Sequence, residues 1–334
     1  MFPPILFALA AFSAVSSVGG LNILLTNDDS WASANIRPDS RVSCSATFTA
    51  LKAVGHDVLM VAPAINQSGR GGTFVLPSGN ITAPGGEFGS IPAVHRSLGK
   101  TSPIQTFLLG YFNGTPAAAV IWGIDVIAPM HFGSKSIDLV VSGPNEGQNN
   151  GPFLYTISGT IGASYAAVER GIPAVALSAG NSTHRSFTTN TGEVNDPANI
   201  AANLTTKFVA ALAAGHKPSS RLLPLGLGIN INFPVFGANS NCTNPPFVLT
   251  RLTGGAVIDK LSLNSTTGLP QVSNIEAPGL NTVINGLPNL PGETPTSAGC
   301  GTAVSVFSVD YDAPALAAAP VQAHLAPLFK GPHN

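Results

Sequence analysis

Charged side chains are scarce in this chain. Asp, Glu, Lys and Arg make up 9% of its 334 residues, and the formal net charge is -1. Proteins that bind nucleic-acid polymers or anionic membranes present basic surfaces, which this composition does not supply. We therefore exclude both as partners and expect a small-molecule partner. The 44% hydrophobic content is ample for one large core with an extension.

Long apolar runs are lacking after the N-terminus. The best later candidate, residues 117–130, is interrupted by Asp125 and Pro129, so we predict no membrane span. Residues 1–17 have a short apolar centre followed by small residues, as secretory signals do. We predict a signal peptide over residues 1–19 and a secreted, extracellular protein.

Cysteine is also rare, and its number is odd. An oxidising compartment would allow one disulfide among Cys44, Cys242 and Cys300, with one thiol left over. We expect the pair Cys242–Cys300, because Cys44 lies in a segment predicted to be a buried helix. Three unpaired thiols are the alternative. Secretion is further indicated by Asn-x-Ser/Thr sequons, which predict a glycoprotein, at Asn66, Asn80, Asn113, Asn181, Asn203, Asn241 and Asn264.

Apolar, strand-like runs alternate with helix-like segments along most of the chain. This alternation predicts an α/β fold: a three-layer, Rossmann-like, mostly parallel sheet with helices on both faces. Strands are predicted at 21–25, 57–62, 137–141, 174–178, 227–232 and 304–309, and helices at 45–54, 161–170 and 200–214.

The domain boundaries follow from a change in composition. We assign residues 20–238 to the α/β core and 239–330 to a C-terminal extension, β-rich or irregular, that packs on the core. Gly, Pro, Asn, Ser and Thr dominate its first part, residues 239–302, which predicts an elaborated loop or a short hairpin. The extension is a candidate for contacts in a homodimer or higher homo-oligomer.

Two adjacent carboxylates, Asp28 and Asp29, follow the first predicted strand. Ligands of open α/β sheets bind outside the carboxyl ends of the strands, so the pair points to a binding crevice. Adjacent carboxylates repel each other, and the absence of Lys or Arg within several residues favours a divalent cation between them. The alternative is a polar turn that caps the next helix.

Three further loops offer oxygen atoms or backbone N–H groups. Asn66-Gln67-Ser68-Gly69 follows the second strand, and Ser142-Gly143-Pro144-Asn145-Glu146-Gly147 follows a central strand. Ser158-Gly159-Thr160 opens a predicted helix, and a helix N-terminus suits a phosphate. Each loop alone could equally be a turn, a glycosylation site or a helix cap.

Taken in order, these segments resemble the SurE family of metal-dependent nucleotidases and phosphatases. The resemblance extends from Leu21 to about Asn232. It rests on residues 26–29, 61–63 with 66–69, 113–117, 138–147 and 158–160. The family usually continues after the aspartates with Gly and an aromatic residue, whereas Ser30 and Trp31 stand here, as in its secreted fungal branch.

The resemblance implies a site for one divalent cation, Mg²⁺ or Mn²⁺. The matching ligands are Asp28, Asp29, Ser68 and Asn145, and such an all-oxygen set favours a hard ion over zinc. Asp28 and Asp29 are then also the catalytic residues. Substrate binding is implied for the residues Asn66, Ser158, Gly159 and Thr160.

The implied reaction is hydrolysis of phosphomonoesters by metal-activated water. Nucleoside 5′- or 3′-monophosphates are the leading substrates, and broad acid phosphatase activity is the other choice. An aspartyl-phosphate intermediate is the competing mechanism. A secreted, non-catalytic protein that binds nucleotides or carbohydrates is the alternative function. Trp31 could stack on a base or pack at the rim, and we expect the seven histidines to be surface or loop residues.

Overall fold

The computed structural model describes the chain apart from several gaps. The residues left out are 1–18, 40–45, 101–108, 182, 218–219, 237–239, 241, 243, 253–256, 277–289, 311, 313–314 and 329–334. The predicted signal peptide, except its last residue, and Cys44 therefore lie outside the described residues. No helix within the described ranges combines the length and the apolar character needed to cross a bilayer.

Strands and helices alternate, as the sequence predicts. The strands are β1 Asn22–Thr26, β2 Asp57–Pro63, β3 Leu98–Lys100, β4 Leu109–Phe112, β5 Leu139–Glu146, β6 Ala174–Ala179, β7 Leu227–Asn232, β8 Phe247–Leu249, β9 Val257–Leu263, β10 Pro270–Glu276 and β11 Thr302–Ser308. The helices are α1 Ala46–Ala53, α2 Pro116–Trp122, α3 Ala128–Phe132, α4 Gly151–Ile157, α5 Gly159–Glu169, α6 Pro197–Ala213, α7 Glu293–Ala298 and α8 Ala315–Leu325. A π-helical turn, Gly123–Ile127, joins α2 to α3.

Nine of the described strands form one sheet in the order β3-β4-β2-β1-β5-β6-β7-β11-β8. Six consecutive strands of this order are parallel to one another, namely β4, β2, β1, β5, β6 and β7. At one edge, β3 is antiparallel to β4. On the other side, β11 is antiparallel to β7, and the edge strand β8 is parallel to β11. The predicted class, a mostly parallel α/β sheet, is confirmed.

Helices cover both faces of this sheet. In β1, Ile23 and Leu25 belong to a buried cluster that includes α1 and α6, whereas Leu24 belongs to the cluster that includes α2 and α5. Successive side chains of a strand point to opposite faces, so a continuous apolar run is what a strand covered on both faces requires. The short apolar runs predicted as strands therefore form the middle layer.

The side of β1 on which successive strands join the sheet changes after β4. From β1 the chain adds β2 and β4 on one side, and it then crosses to β5, β6 and β7 on the other side. Such a switch point opens a crevice at the carboxyl ends of the two central strands, here β1 and β5.

The C-terminal extension contributes to the same sheet. β11 and β8 extend it beyond β7, while β9 and β10 form a separate antiparallel hairpin. Cys242 and Cys300 form a disulfide, so the expected pairing is confirmed. The hairpin agrees with the excursion predicted within 239–302.

Candidate active site at the switch point

Asp28 and Asp29 lie directly after β1, in the crevice between β1 and β5. Each side chain is only 2% exposed. The Thr160 hydroxyl donates to Asp28 Oδ1 at 2.5 Å, and the Glu146 N–H donates to Asp29 Oδ2 at 2.8 Å. The first turn of α5 and the end of β5 therefore hold one carboxylate each.

Burial makes these two carboxylates costly to ionise. Desolvation raises the pKa of Asp28, although hydrogen bonds from Thr160 and Gly159 counteract it. Desolvation also raises the pKa of Asp29 well above its usual range, and the charges of Asp28 and Glu146 raise it further. A cation between the two aspartates would relieve both effects.

The loop after β2 reaches the same place. The Gln67 N–H donates to the Asp28 carbonyl at 2.8 Å, and the Ser68 side chain hydrogen-bonds to Asp29. Within the loop, the Ser68 N–H donates to Asn66 Oδ1 at 2.8 Å. Two of the predicted site residues, Asn66 and Ser68, are thus brought to the aspartate pair.

Asn145 brings an unused acceptor to the site. Its amide group donates to the Gly147 carbonyl at 2.7 Å, which orients the side chain. Its Oδ1 atom is buried and meets no donor in the described part of the protein. A buried acceptor without a partner is costly, and a cation would satisfy it.

These oxygens fit a hard divalent cation. Two carboxylates, a hydroxyl and an amide oxygen are ligands that Mg²⁺ or Mn²⁺ accepts. Across the described ranges, no group of three or more His, Cys, Asp or Glu side chains could hold a metal. The proposed ligand set contains only two such side chains, Asp28 and Asp29.

The start of α5 is turned towards Asp28. Ser158 caps the helix by accepting the Ile161 N–H at 3.3 Å. The backbone N–H groups of Gly159 and Thr160 hydrogen-bond to the Asp28 carboxylate. A Cβ atom at Gly159 would lie 2.8 Å from Asp28 Cβ, so no larger residue fits there without displacing its neighbours. Gly159 and Thr160 are therefore in direct contact with the aspartate pair.

Trp31 packs in the interior. It is 2% exposed, its Nε1 donates to Ser90 Oγ at 2.9 Å, and the Arg37 guanidinium lies 3.8 Å above its ring. Of the two roles considered for this residue, packing agrees with the structure, because a buried ring offers no face to a base.

Sequence reasoning missed a cluster formed by Glu87, Glu146 and His184. The His184 ring lies between the two carboxylates, with Nδ1 2.5 Å from Glu146 Oε2 and Nε2 3.0 Å from Glu87 Oε1. Glu146 belongs to the predicted site loop at residues 142–147, but the sequence around it does not indicate which residue it pairs with. The three residues lie far apart in the sequence, so no local signal could have joined them.

His56 lies in the loop between α1 and β2, which agrees with the expectation that the histidines are surface or loop residues, but it is buried. It is 7% exposed, and its Nδ1 accepts the Leu21 N–H at 3.1 Å. Burial lowers the pKa of His56, which keeps the ring neutral and able to accept.

Comparison with known proteins agrees with this geometry. The family model "Survival protein SurE" matches residues 23–256. An acid phosphatase of Yarrowia lipolytica is 43% identical over 306 residues, which cover 90% of this chain and 82% of that protein.

More distant relatives match a smaller share. The 5′-nucleotidase SurE 1 of Thermus thermophilus is 32% identical over 64% of this chain and 66% of its own length. The 5′-nucleotidase SurE of Halobacterium salinarum is 34% identical over 47% of this chain and 46% of its own length.

A solved structure shows the same fold. The SurE protein from Aquifex aeolicus superimposes with a TM-score of 0.58 at 21% identity, covering 91% of this chain and 99% of that one. Since the family model covers more than half of the sequence and the Yarrowia protein matches most of it, this chain belongs to the SurE family.

Proposed function

We propose that this chain hydrolyses phosphomonoesters with the help of one divalent cation, Mg²⁺ or Mn²⁺. The observation that carries the proposal is the buried, unpartnered Asn145 Oδ1, one residue before Glu146, whose N–H donates to Asp29 of the repelling carboxylate pair. A folded protein keeps such a costly arrangement where function requires it.

The ligands of the cation are Asp28, Asp29, Ser68 and Asn145. Held by these four residues, such a cation would supply Lewis-acid chemistry, polarising a phosphoryl oxygen and lowering the pKa of the water that is to attack. Thr160 and the N–H groups at the start of α5 hold the Asp28 carboxylate in one orientation. This orientation limits the reorganisation that the site needs during the reaction.

Substrate binding is assigned to Asn66, Ser158, Gly159 and Thr160. All four lie on the two segments that approach Asp28, namely the loop after β2 and the first turn of α5. For Gly159 and Thr160, the contacts with Asp28 support a second role, the orientation of that carboxylate. Phosphoryl transfer depends mainly on positioning and charge neutralisation, which these groups would supply together with the cation.

Nucleoside monophosphates are the first substrates to test, followed by generic phosphate esters. Relatives named 5′-nucleotidase support the former, and the relative named acid phosphatase supports the latter.

We also propose that the protein is secreted and glycosylated. The Cys242–Cys300 disulfide supports an oxidising compartment. The sequon residues Asn80 and Asn203 are exposed, whereas Asn66 uses its side chain inside the site loop and is expected to stay unmodified. A homodimer or higher homo-oligomer stays a prediction, which analytical ultracentrifugation would check.

The function is tested with the purified protein on nucleoside monophosphates and an aryl phosphate, with Mn²⁺, Mg²⁺ or a chelator. Asp28→Asn and Asp29→Asn are compared with Asp125→Asn, whose carboxylate pairs with Arg170 on the surface. A metal ion contributes several kcal/mol to catalysis, so we expect kcat/KM to fall by at least about a hundredfold in the first two variants. Asp125→Asn should keep the wild-type value.

Thermal unfolding without metal serves as the folding control. Because Asp29→Asn removes one of two repelling buried charges, its Tm in chelator should equal or exceed that of the wild type. Wild-type protein that hydrolyses no phosphomonoester with any metal would contradict the proposal and favour a binding protein that retains the fold.

A further inference from the structure

His184 is held from two sides at the rim of the candidate active site. It follows β6 in a segment outside the strands and helices, and its side chain is 38% exposed. Both ring nitrogens face carboxylate oxygens, Glu146 Oε2 at 2.5 Å and Glu87 Oε1 at 3.0 Å. Ionised carboxylates only accept hydrogen bonds, so both nitrogens donate and the ring is an imidazolium.

The charges around the ring support this assignment. Burial lowers the pKa of His184, but the hydrogen bonds and charges of Glu87 and Glu146 outweigh it, and the net shift is upward. The neighbouring Arg185 is paired with Asp196 and so is engaged elsewhere. Within the described residues, His184 is therefore the cation that faces both carboxylates.

Each carboxylate uses its second oxygen to hold part of the site. Glu87 Oε2 accepts the Asn66 N–H at 2.8 Å, and Glu146 Oε1 accepts the Ser33 hydroxyl at 2.7 Å. The Glu146 N–H in turn donates to Asp29 Oδ2. A continuous chain of hydrogen bonds thus runs from the Asn66 loop through His184 to Asp29.

Phe88 fixes the ring from a third side. Its ring centroid lies 4.6 Å from that of His184, and its backbone adopts a φ of 54°. A positive φ is strained for an aromatic residue, and such strain concentrates at functional sites. The strained conformation places the phenyl ring against the imidazolium.

We infer that His184 is a positioning residue, whose imidazolium joins Glu87 to Glu146 and thereby sets the distance between the Asn66–Ser68 loop and Asp29. This inference rests on the proposed function, because these segments carry the proposed metal ligands Ser68 and Asp29. Without the His184 ring, the Asn66–Ser68 loop, held by Glu87, and Asp29, held by the Glu146 N–H, would lose this link.

The test compares four single variants in the full chain. His184→Gln removes the charge, and Glu87→Gln removes one of its partners. His184→Arg keeps a cation with several donors that can span two carboxylates. His216→Gln is the matched control. His216 follows α6, and within the described residues its side chain hydrogen-bonds only to the hydroxyl of Ser220.

Two readouts are measured: kcat/KM on an aryl phosphate with Mn²⁺, and the rise in Tm that Mn²⁺ causes in the absence of substrate. We expect His184→Gln and Glu87→Gln to lose about 10- to 100-fold in kcat/KM, as residues that orient metal ligands do. The Tm response to Mn²⁺ should shrink in both variants. His184→Arg should restore most of each readout, and His216→Gln should match the wild type.

A double variant separates the bridge from general destabilisation. If His184 and Glu87 act through one contact, His184→Gln with Glu87→Gln should lose no more than the worse single variant. Wild-type kcat/KM and a wild-type Mn²⁺ response in His184→Gln would overturn the inference while leaving the proposed function intact. Failure of the proposed function would appear instead as a wild-type protein without turnover, and the Mn²⁺ response would still decide the role of His184.

Discussion

Two residues beside the aspartate pair show how closely the backbone is constrained there. Ser30, directly after Asp29, is fully buried and has a φ of 126°, a conformation that favours glycine. Gly159 approaches Asp28 so closely that a Cβ atom would lie 2.8 Å from Asp28 Cβ and 2.9 Å from Pro116 Cγ. The position of the Asp28 carboxylate therefore depends on the absence of a side chain at Gly159.

Gly159→Ala tests this dependence. The added methyl group must displace Asp28 or the first turn of α5, and a small displacement of a reacting group costs about a hundredfold in rate. We expect kcat/KM to fall by about that factor. Gly79→Ala is the control, since nothing lies within 4 Å of a Cβ built at Gly79. Equal activity in the two variants would show that the close approach is unimportant.

At the scale of elements, helix α7 of the C-terminal extension supports helix α4, which leads to the candidate site. Glu293, the first residue of α7, is completely buried. Its Oε2 accepts the Gly151 N–H at 2.7 Å, and its Oε1 accepts from Asn230 Nδ2 at 2.9 Å. Gly151 starts α4, and α4 ends at Ile157, directly before Ser158, the N-cap of α5. α7 thus holds the helix that precedes the first turn of α5.

The pH dependence of stability should report on Glu293. Burial raises the pKa of this carboxyl above its usual 4.5, so the folded state binds the proton more tightly than the unfolded state. The resulting stability is fully present below the unfolded-state pKa and is lost as the pH rises through the folded-state pKa. We expect the Tm of the wild type, relative to Glu293→Gln, to fall as the pH rises above 4.5.

Glu169→Gln, at the exposed end of α5, provides the comparison for that experiment. Its Tm difference from the wild type should show no such fall. A difference between wild type and Glu293→Gln that stays constant with pH would mean that the buried carboxyl does not titrate in this range.

For the whole molecule, the Cys242–Cys300 disulfide closes a loop within the C-terminal extension. The two cysteines are 58 positions apart, and the enclosed segment carries the β9–β10 hairpin and α7. Closing a loop of this length removes unfolded-state entropy worth about 4 kcal/mol in the chain-entropy treatment. The bond therefore stabilises the part of the fold that supplies Glu293.

Replacing both cysteines by serine should lower the free energy of unfolding by up to about 4 kcal/mol. Denaturant unfolding measures the loss, and a reductant should lower the stability of the wild type without affecting the double variant. Equal stability of both proteins under oxidising conditions would contradict this expectation. The same reductant should lower activity only as far as it unfolds α7.

Local sequence patterns were sufficient for the central strands and for the order of the site loops. Apolar runs in β1, β2 and β6 report burial on both faces, which is a local property. The aspartate pair follows β1 directly, so its place at the carboxyl end of a strand could also be predicted. The edge strand β3 and its neighbour β4 have weak local patterns and were not foreseen.

Long-range pairing depended on the packed fold. His184 meets Glu146 and Glu87 across 38 and 97 positions of sequence, and Glu293 meets Gly151 across 142. Hydrophobic periodicity records which face of an element is buried, but it does not record which distant side chain lies opposite. The amino-acid order therefore settled the family, the sheet core and the aspartate pair, whereas tertiary packing alone brought together the charged groups that surround them.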